Sequence, residues 1–451
     1  MLSLSARGFI RFDVEDYLTP ESDDALMHML GAMRKWGIPG SYGVVGKKAE
    51  ALKARAREDV LQALREEPSL GFHSWSHSEH PTLAEELAPL GYEEALARFV
   101  EREAVGVQAL LRYIKPPHYF TQPGGNWVPE ALDALPQLGM DIYFTDSFNS
   151  YVVDLPGPYW LGQVLLMSFP VINPKPFGLG LPANLHEALA LIEGRTDVDG
   201  DFMVMLHPTE LVTREFWDAV NFSKGGTRFP LVPAPLRPPG EQDEAFHSFD
   251  QYLQEIRRFN IEWCDSQTLV QKVIPRGFVT ASRAEILSAL HKGGWGPLAL
   301  ADGYLSAAEA LYGLAKLTGM PEHTRISLGY VGAPPSWEPV EESLTVSRSQ
   351  APRLANWIVQ AVENQGRLPL DNPEQGLTLG RARQAFLGSQ GKGALTFLNS
   401  IKAPELLHWD WPIFPEEFRP WRLWNDARRL AWTLKPALEQ GRRYNDVWRG
   451  R

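Results

Sequence analysis

Short apolar runs alternate with longer stretches of helical periodicity from residue 8 to residue 264. Residues 8–14 read as a strand, and residues 23–36 as a helix with Leu26, Met29, Leu30 and Met33 on one face. A strand over 41–45, a charged helix over about 50–67, a short strand ending before His73 and a long helix over 92–113 continue the alternation. Further strands are predicted at 118–121, 141–145, 164–169 and 203–206, and a last helix over 249–258 leads into a strand over 261–264. Repeated strand–helix units predict an α/β fold, with a parallel sheet closed into a barrel and helices around it. The proline-rich stretch 230–240 reads as a surface loop near the active face.

The pattern changes near Pro275, after which helical signals dominate. Ser306 followed three residues later by Glu309 has the form of a capping box. Residues 352–364 place Leu354, Trp357, Ile358 and Ala361 on one face, and Gln365-Gly366-Arg367-Leu368-Pro369 is a helix stop. Residues 382–386 and 420–438 continue the helical pattern. The expectation is a barrel over 1–274 followed by a mainly α-helical accessory domain over 275–451. A chain of 451 residues fits that division, because one hydrophobic core seldom serves so many.

Composition narrows the partners. A net charge of −11 lacks the basic face that a nucleic-acid partner requires. A lone cysteine, Cys264, excludes an intrachain disulfide. Residues 1–7 have neither the basic start nor the long apolar core of a signal peptide. No run approaches the ~20 apolar residues of a membrane span, so a cytoplasmic protein without such a span is expected. Trp409, Trp411, Trp421, Trp424 and Trp432 crowd the C-terminal part. Indoles there have two uses, stacking on sugar rings or filling small helical cores.

Two segments carry candidate chemistry. His73 and His77 stand four positions apart, a spacing that puts both rings on one side of a single helical turn. Neutral imidazole is the commonest protein ligand for zinc and related cations. Upstream, Asp13, Glu15 and Asp16 crowd the end of the first strand. Three carboxylates in four residues repel one another in a dry site unless a cation sits among them; a solvated turn or a helix cap is the other reading. Carboxylate oxygens beside paired imidazoles are what a divalent site needs.

With these segments in view, the chain resembles the polysaccharide deacetylases, the NodB-type carbohydrate esterases of family 4. Phe12-Asp13-Val14-Glu15-Asp16 resembles their first motif, and His73-Ser74-Trp75-Ser76-His77 fits the second, His-Ser/Thr-x-x-His. Thr121-Gln122-Pro123-Gly124-Gly125-Asn126-Trp127 resembles the third, an Arg-x-Pro-x-Gly loop, and Met205-Leu206-His207-Pro208 the last. All four come in family order across about residues 8–270. The resemblance implies a distorted (β/α)7 barrel that removes N-acetyl groups from an amino-sugar polymer or oligosaccharide with a divalent metal, zinc first among the candidates. It implies Asp13 as catalytic base, His207 as general acid, His73 and His77 as metal ligands, and Ser74 as a brace between them. Trp75, Pro123, Gly124 and Trp127 are expected to contact substrate because they sit inside motifs.

This chain departs from the family pattern twice. Val14 stands where the family has a second aspartate, so another acid must serve as the third ligand. Glu15 shares a strand face with Asp13 and is preferred, with Asp16 as the alternative. Thr121 stands where the family has an arginine that orients the base carboxylate. Arg11, on the same face as Asp13, is placed to substitute. Asp146 reads either as a pocket residue or as a helix cap, and His80 as a solvent-facing neighbour of the histidine pair. Residues 305–386 resemble, through the closing run Asn364-Gln365-Gly366-Arg367-Leu368-Pro369, the wall-binding repeats of the pseudomurein-binding type, which implies contact with cell-wall glycan. Two other functions stay open: hydrolysis of another non-peptide C–N bond, such as a cyclic amide, on the same barrel without metal, and glycan binding without catalysis.

Overall fold

The computed structural model describes residues 6–146, 157–172, 185–196, 201–273, 275–335, 346–387 and 411–438. Strand β1 (Ala6–Val14) is buried along its whole length. Its alternate residues part company, as strand geometry requires. Ala6, Ile10, Phe12 and Val14 join the large core beneath the outer helices. Phe9 joins a smaller core with Tyr119, Phe144, Met167, Phe169 and Met203. That second core fills the inside of a barrel.

The barrel wall is parallel. β1 pairs with β2 (Gly40–Val44), β2 with β3 (Ser69–Phe72), β3 with β4 (Tyr119–Thr121) and β4 with β5 (Ile142–Asp146). After β6 (Gly157–Leu161), strand β7 (Val164–Phe169) pairs with β5. β8 (Val171–Ile172), just beyond Pro170, pairs with β9 (Asp201–Leu206), and β9 pairs with β1. The Pro170 carbonyl accepts the Met203 N–H at 2.9 Å across that junction. With β7 and β8 as one bent strand, seven parallel strands form the ring, the distorted barrel that the motifs imply. β6 lies antiparallel on the outer side of β7, and β10 (Ile261–Trp263) pairs with the start of β1. Gly71 shows how tightly the interior is filled: a Cβ there would lie 2.2 Å from the Tyr119 ring.

Most expected elements form within a residue or two of their sequence positions. The charged stretch 50–67 is two helices, Gly46–Ala54 and Glu58–Glu66, broken where Ala56 takes φ 57°. Arg55 beside the break donates to the Tyr17 carbonyl and to Asp23, which ties the turn to the end of β1.

Among the described residues beyond Pro275 helices predominate, at Arg283–Gly293, Ala307–Lys316, Ala351–Gln365, Leu379–Leu387 and Trp421–Leu430. The Ser306/Glu309 capping box forms, and Gly366 ends its helix in the left-handed conformation at φ 70°. Two short antiparallel pairs accompany the helices. β11 (Val279–Ser282) pairs with β14 (Arg325–Leu328), and β12 (Leu298–Leu300) with β13 (Gly303–Leu305). The chain then returns to the barrel. β15 (Lys435–Pro436) pairs with β6, and Arg422 donates to the Leu87 carbonyl at 2.6 Å. No helix among the described residues is long and apolar enough to cross a membrane.

Candidate active site

The interior face of β1 carries Phe9, Arg11 and Asp13 toward the C-terminal mouth of the barrel, and Glu15 follows one step on. That mouth is where β/α barrels assemble their sites. His73 comes just past β3 and His207 just past β9. Asp13, Glu15, His73 and His77 are each 3% exposed or less, and His207 is 9% exposed.

Glu15 is the hub. Its Oε2 lies 3.2 Å from His73 Nε2 and 2.8 Å from His77 Nε2, while its Oε1 accepts the Trp217 indole N–H at 2.9 Å. The other ring nitrogens have close partners of their own. His73 Nδ1 lies 3.0 Å from the Thr121 carbonyl, to which it donates in its Nδ1–H tautomer. His77 Nδ1 lies 2.5 Å from Ser78 Oγ, whose own proton goes to Asp218 at 3.0 Å. With hydrogen on Nδ1, a neutral ring aims its Nε2 lone pair at the carboxylate. Two lone pairs facing one carboxylate oxygen repel unless a proton or a cation lies between them.

The donor set fits a divalent cation. Glu15, His73 and His77 place ligand atoms within 4.8 Å of one another, and so do Asp13, Glu15 and His207. Asp13 Oδ1 is buried without a hydrogen-bond partner among the described residues. Each imidazole of the pair is held by an outer partner, Thr121 for His73 and the Ser78–Asp218 pair for His77, the arrangement that orients metal-binding histidines elsewhere.

Arg11 donates to Asp13 Oδ2 at 2.6 Å in a buried pair. Thr121 contacts His73 Nδ1 through its hydroxyl at 2.7 Å. Burial alone would raise the Asp13 carboxyl, but Arg11, His73 and His207 carry it below its ordinary value. Glu15, also opposed by burial, is driven far down by the two histidines. Burial works downward on His207, but the carboxylates of Glu210, Glu15 and Asp13 lift it to about 9. Burial, opposed by His77 and reinforced by Glu15, pushes Asp218 up to about 6.

Several expectations need correction. His73–His77 is not a helical turn: Ser74 and His77 both take left-handed backbone, with φ 67° and 56°. The rings converge, their centroids 5.1 Å apart, because that strained loop folds back on itself. Glu103, fully buried in helix Tyr92–Tyr113, anchors it by accepting the Trp75 N–H at 2.9 Å and the Ser74 hydroxyl at 3.3 Å. Asp16 is spent elsewhere: its Oδ1 accepts the Leu18 and Thr19 N–H groups, and its Oδ2 the Thr209 hydroxyl. His80 is tied to Glu85 and the Phe222 carbonyl rather than facing solvent. Asp146 closes β5, and its side chain lies outside the described residues.

A cavity of about 190 Å³ opens onto the cluster. Of the four expected substrate contacts only Gly124 borders it. Pro123 is buried and turns the loop through its carbonyl to Asn126. Trp127 packs into the outer core, 4% exposed. Trp75 is held by Glu103 on one side and by Lys47 on the other, whose N–H meets the Trp75 carbonyl at 3.0 Å. The cavity is instead lined by Gln122, Thr145, Met205, Phe216, Asp218 and Trp411. Gln122 lies inside the third motif and Met205 inside the last, Trp411 belongs to the tryptophan-rich stretch, and Thr145, Phe216 and Asp218 lie in no motif.

No protein-family model matches the chain, and no curated protein sequence matches it. Solved structures similar to it include a 4-alpha-glucanotransferase from Thermococcus litoralis, with 12% identity and a TM-score of 0.41 over 60% of this chain and 40% of that one. A peptidoglycan deacetylase from Bacillus subtilis matches with 13% identity and a TM-score of 0.32 over 59% of this chain and 91% of that one. A CE4 esterase from Streptococcus mutans matches with 13% identity and a TM-score of 0.33 over 58% and 86%.

Glu103 gives a first testable outcome. Replacing it with alanine leaves the Trp75 N–H without its buried acceptor, which costs about 1–3 kcal/mol. The expected result is a lowered denaturation midpoint together with weaker zinc binding by calorimetry. Unchanged zinc affinity would show that the loop holds its shape without the anchor.

Proposed function

We propose that this protein is a divalent-cation-dependent hydrolase that removes acetyl from the nitrogen of an amino sugar. The observation that carries the reading is the convergence of the His73 and His77 Nε2 atoms on one Glu15 oxygen, with Asp13 and His207 alongside. His207 Nε2 lies 3.7 Å and His73 Nε2 3.9 Å from Asp13 Oδ2. Glu15, His73 and His77 would hold the cation, and zinc suits two imidazoles and a carboxylate. A cation bound there would polarise an amide carbonyl and acidify water.

The chain's own groups supply the proton traffic. Asp13, ionised and steered by Arg11, takes a proton from the attacking water through its unpartnered Oδ1. The water oxygen bonds to the acyl carbon and the C–N bond breaks. His207, protonated at neutral pH by its carboxylate neighbours, gives its proton to the departing nitrogen. The products are acetate and a free amine. The C-terminal region is proposed to contact glycan.

Stripping the purified protein with a chelator is expected to abolish acetate release from N-acetylglucosamine oligomers or peptidoglycan fragments, and resupplied zinc to restore it. A zinc-loaded protein that releases no acetate from either would overturn the reading.

A further inference from the structure

Trp411 is far from the barrel in sequence yet stands inside its mouth. Its ring centroid lies 5.6 Å from that of His77, at 80°. Gly124 makes room for it: a Cβ at 124 would lie 2.7 Å from the indole, and the residue takes φ 41°. The placement is built, not incidental. Lys224 donates its N–H to the Pro412 carbonyl at 2.9 Å, and Gly225 donates to that of Ile413 at 2.7 Å. Ile413 is fully buried in a cluster with Tyr17, Val45, Trp217 and Phe222, beside the candidate ligands. Phe414 packs edge-on against the indole, centroids 5.6 Å apart.

The segment narrows the mouth. Trp411 stands against His77, and Phe216 against His207 at 5.1 Å. The remaining cavity of about 190 Å³ is below the roughly 300–1,000 Å³ of pockets that enclose drug-sized ligands. That space suits one small ring rather than several consecutive sugars. An indole bordering it offers the apolar surface on which sugar rings stack.

We infer that residues 411–414 complete the substrate site from the C-terminal part of the chain, and that Trp411 restricts it to a small or chain-terminal acylated amino sugar. This rests on the hydrolase reading above and adds the size of the substrate. An open groove would accept a unit in the middle of a polymer; a walled pocket accepts only an end.

The test compares zinc-loaded wild type, Trp411→Ala and Trp411→Phe on N,N′-diacetylchitobiose and on a long soluble chitin polymer. Wild type is expected to favour the disaccharide and to deacetylate the polymer only at chain ends, read by mass spectrometry of the products. Trp411→Ala is expected to lower the disaccharide-to-polymer ratio of kcat/KM at least tenfold, and Trp411→Phe to recover most of it. If the alanine variant does not fold, the phenylalanine variant is expected to show a smaller shift in the same direction. Deacetylation of internal polymer units by wild type, or a ratio unmoved in the folded variants, would overturn the inference and leave the hydrolase reading intact. No acetate from either substrate by any of the three proteins would remove the hydrolase reading itself, and this inference with it.

Discussion

Replacing His73 with alanine is expected to strip the protein of its cation and of its activity together. On the proposed reading His73 is one of three ligands. Its loss leaves His77 and Glu15, whose facing atoms are 2.8 Å apart, to hold the ion as a pair. Removing an outer partner of a metal-bound histidine already weakens binding by about 10–100-fold. Removing the ligand should exceed that, so the purified variant is expected to carry less than a tenth of the wild-type zinc by elemental analysis. Folding is a separate matter. The Thr121 carbonyl loses its donor and a buried ring becomes a void, a cost of about 1–3 kcal/mol from the hydrogen bond alone. Comparing the variant with zinc-free wild type in a denaturant titration separates that cost from the loss of metal. Stoichiometric zinc in folded His73→Ala would sink the ligand assignment.

The residues of the cluster are readable in the sequence for reasons that differ from one to the next. Asp13 and Glu15 follow from strand alternation, since β1 continues straight into the site and its odd-numbered positions face inward. The same parity placed Arg11 beside Asp13, and the 2.6 Å contact bears that out. The histidine pair was visible by type and spacing, but its backbone was not. Ser74 and His77 take left-handed conformations that side chains disfavour, and they do so where Glu103, on a distant helix, grips the loop. No local pattern announces such a grip. Trp75 and Trp127 are expected to touch substrate because they lie within motifs, yet neither borders the cavity, and Trp127 is buried in the outer core as large indoles commonly are. Trp411 is the reverse case: it sat in a tryptophan-rich stretch with two open readings, and only the folded chain brings it to the cavity. Periodicity reports which face of an element is buried. It does not report which element arrives from elsewhere to cover a site, and Phe216, Asp218 and Trp411 were illegible for that reason.

Asp13→Asn should separate binding of the cation from use of it. An amide has nearly the shape of a carboxylate and its oxygen still accepts from Arg11, so the pair's geometry survives. Glu15, His73 and His77 are untouched, and zinc content is expected to stay near one per chain. The amide cannot take a proton from water, and the loss of a positioned general base is worth about 10²–10⁴-fold in rate. The expected result is therefore a kcat reduced by that factor, with zinc retained. Two neighbours sharpen the reading. Arg11 loses one buried counter-charge while keeping a hydrogen bond to the amide oxygen, so the variant should denature earlier even though its zinc stays. His207 loses one of the carboxylates that raise it, but Glu210 and Glu15 precede Asp13 among those influences, and it should remain protonated at neutral pH. The donor of the second proton then stays in place while the acceptor of the first is gone. Turnover unchanged in a folded, zinc-bearing Asp13→Asn would assign the base to another group, and among the described carboxylates that border the cavity the next to test would be Asp218.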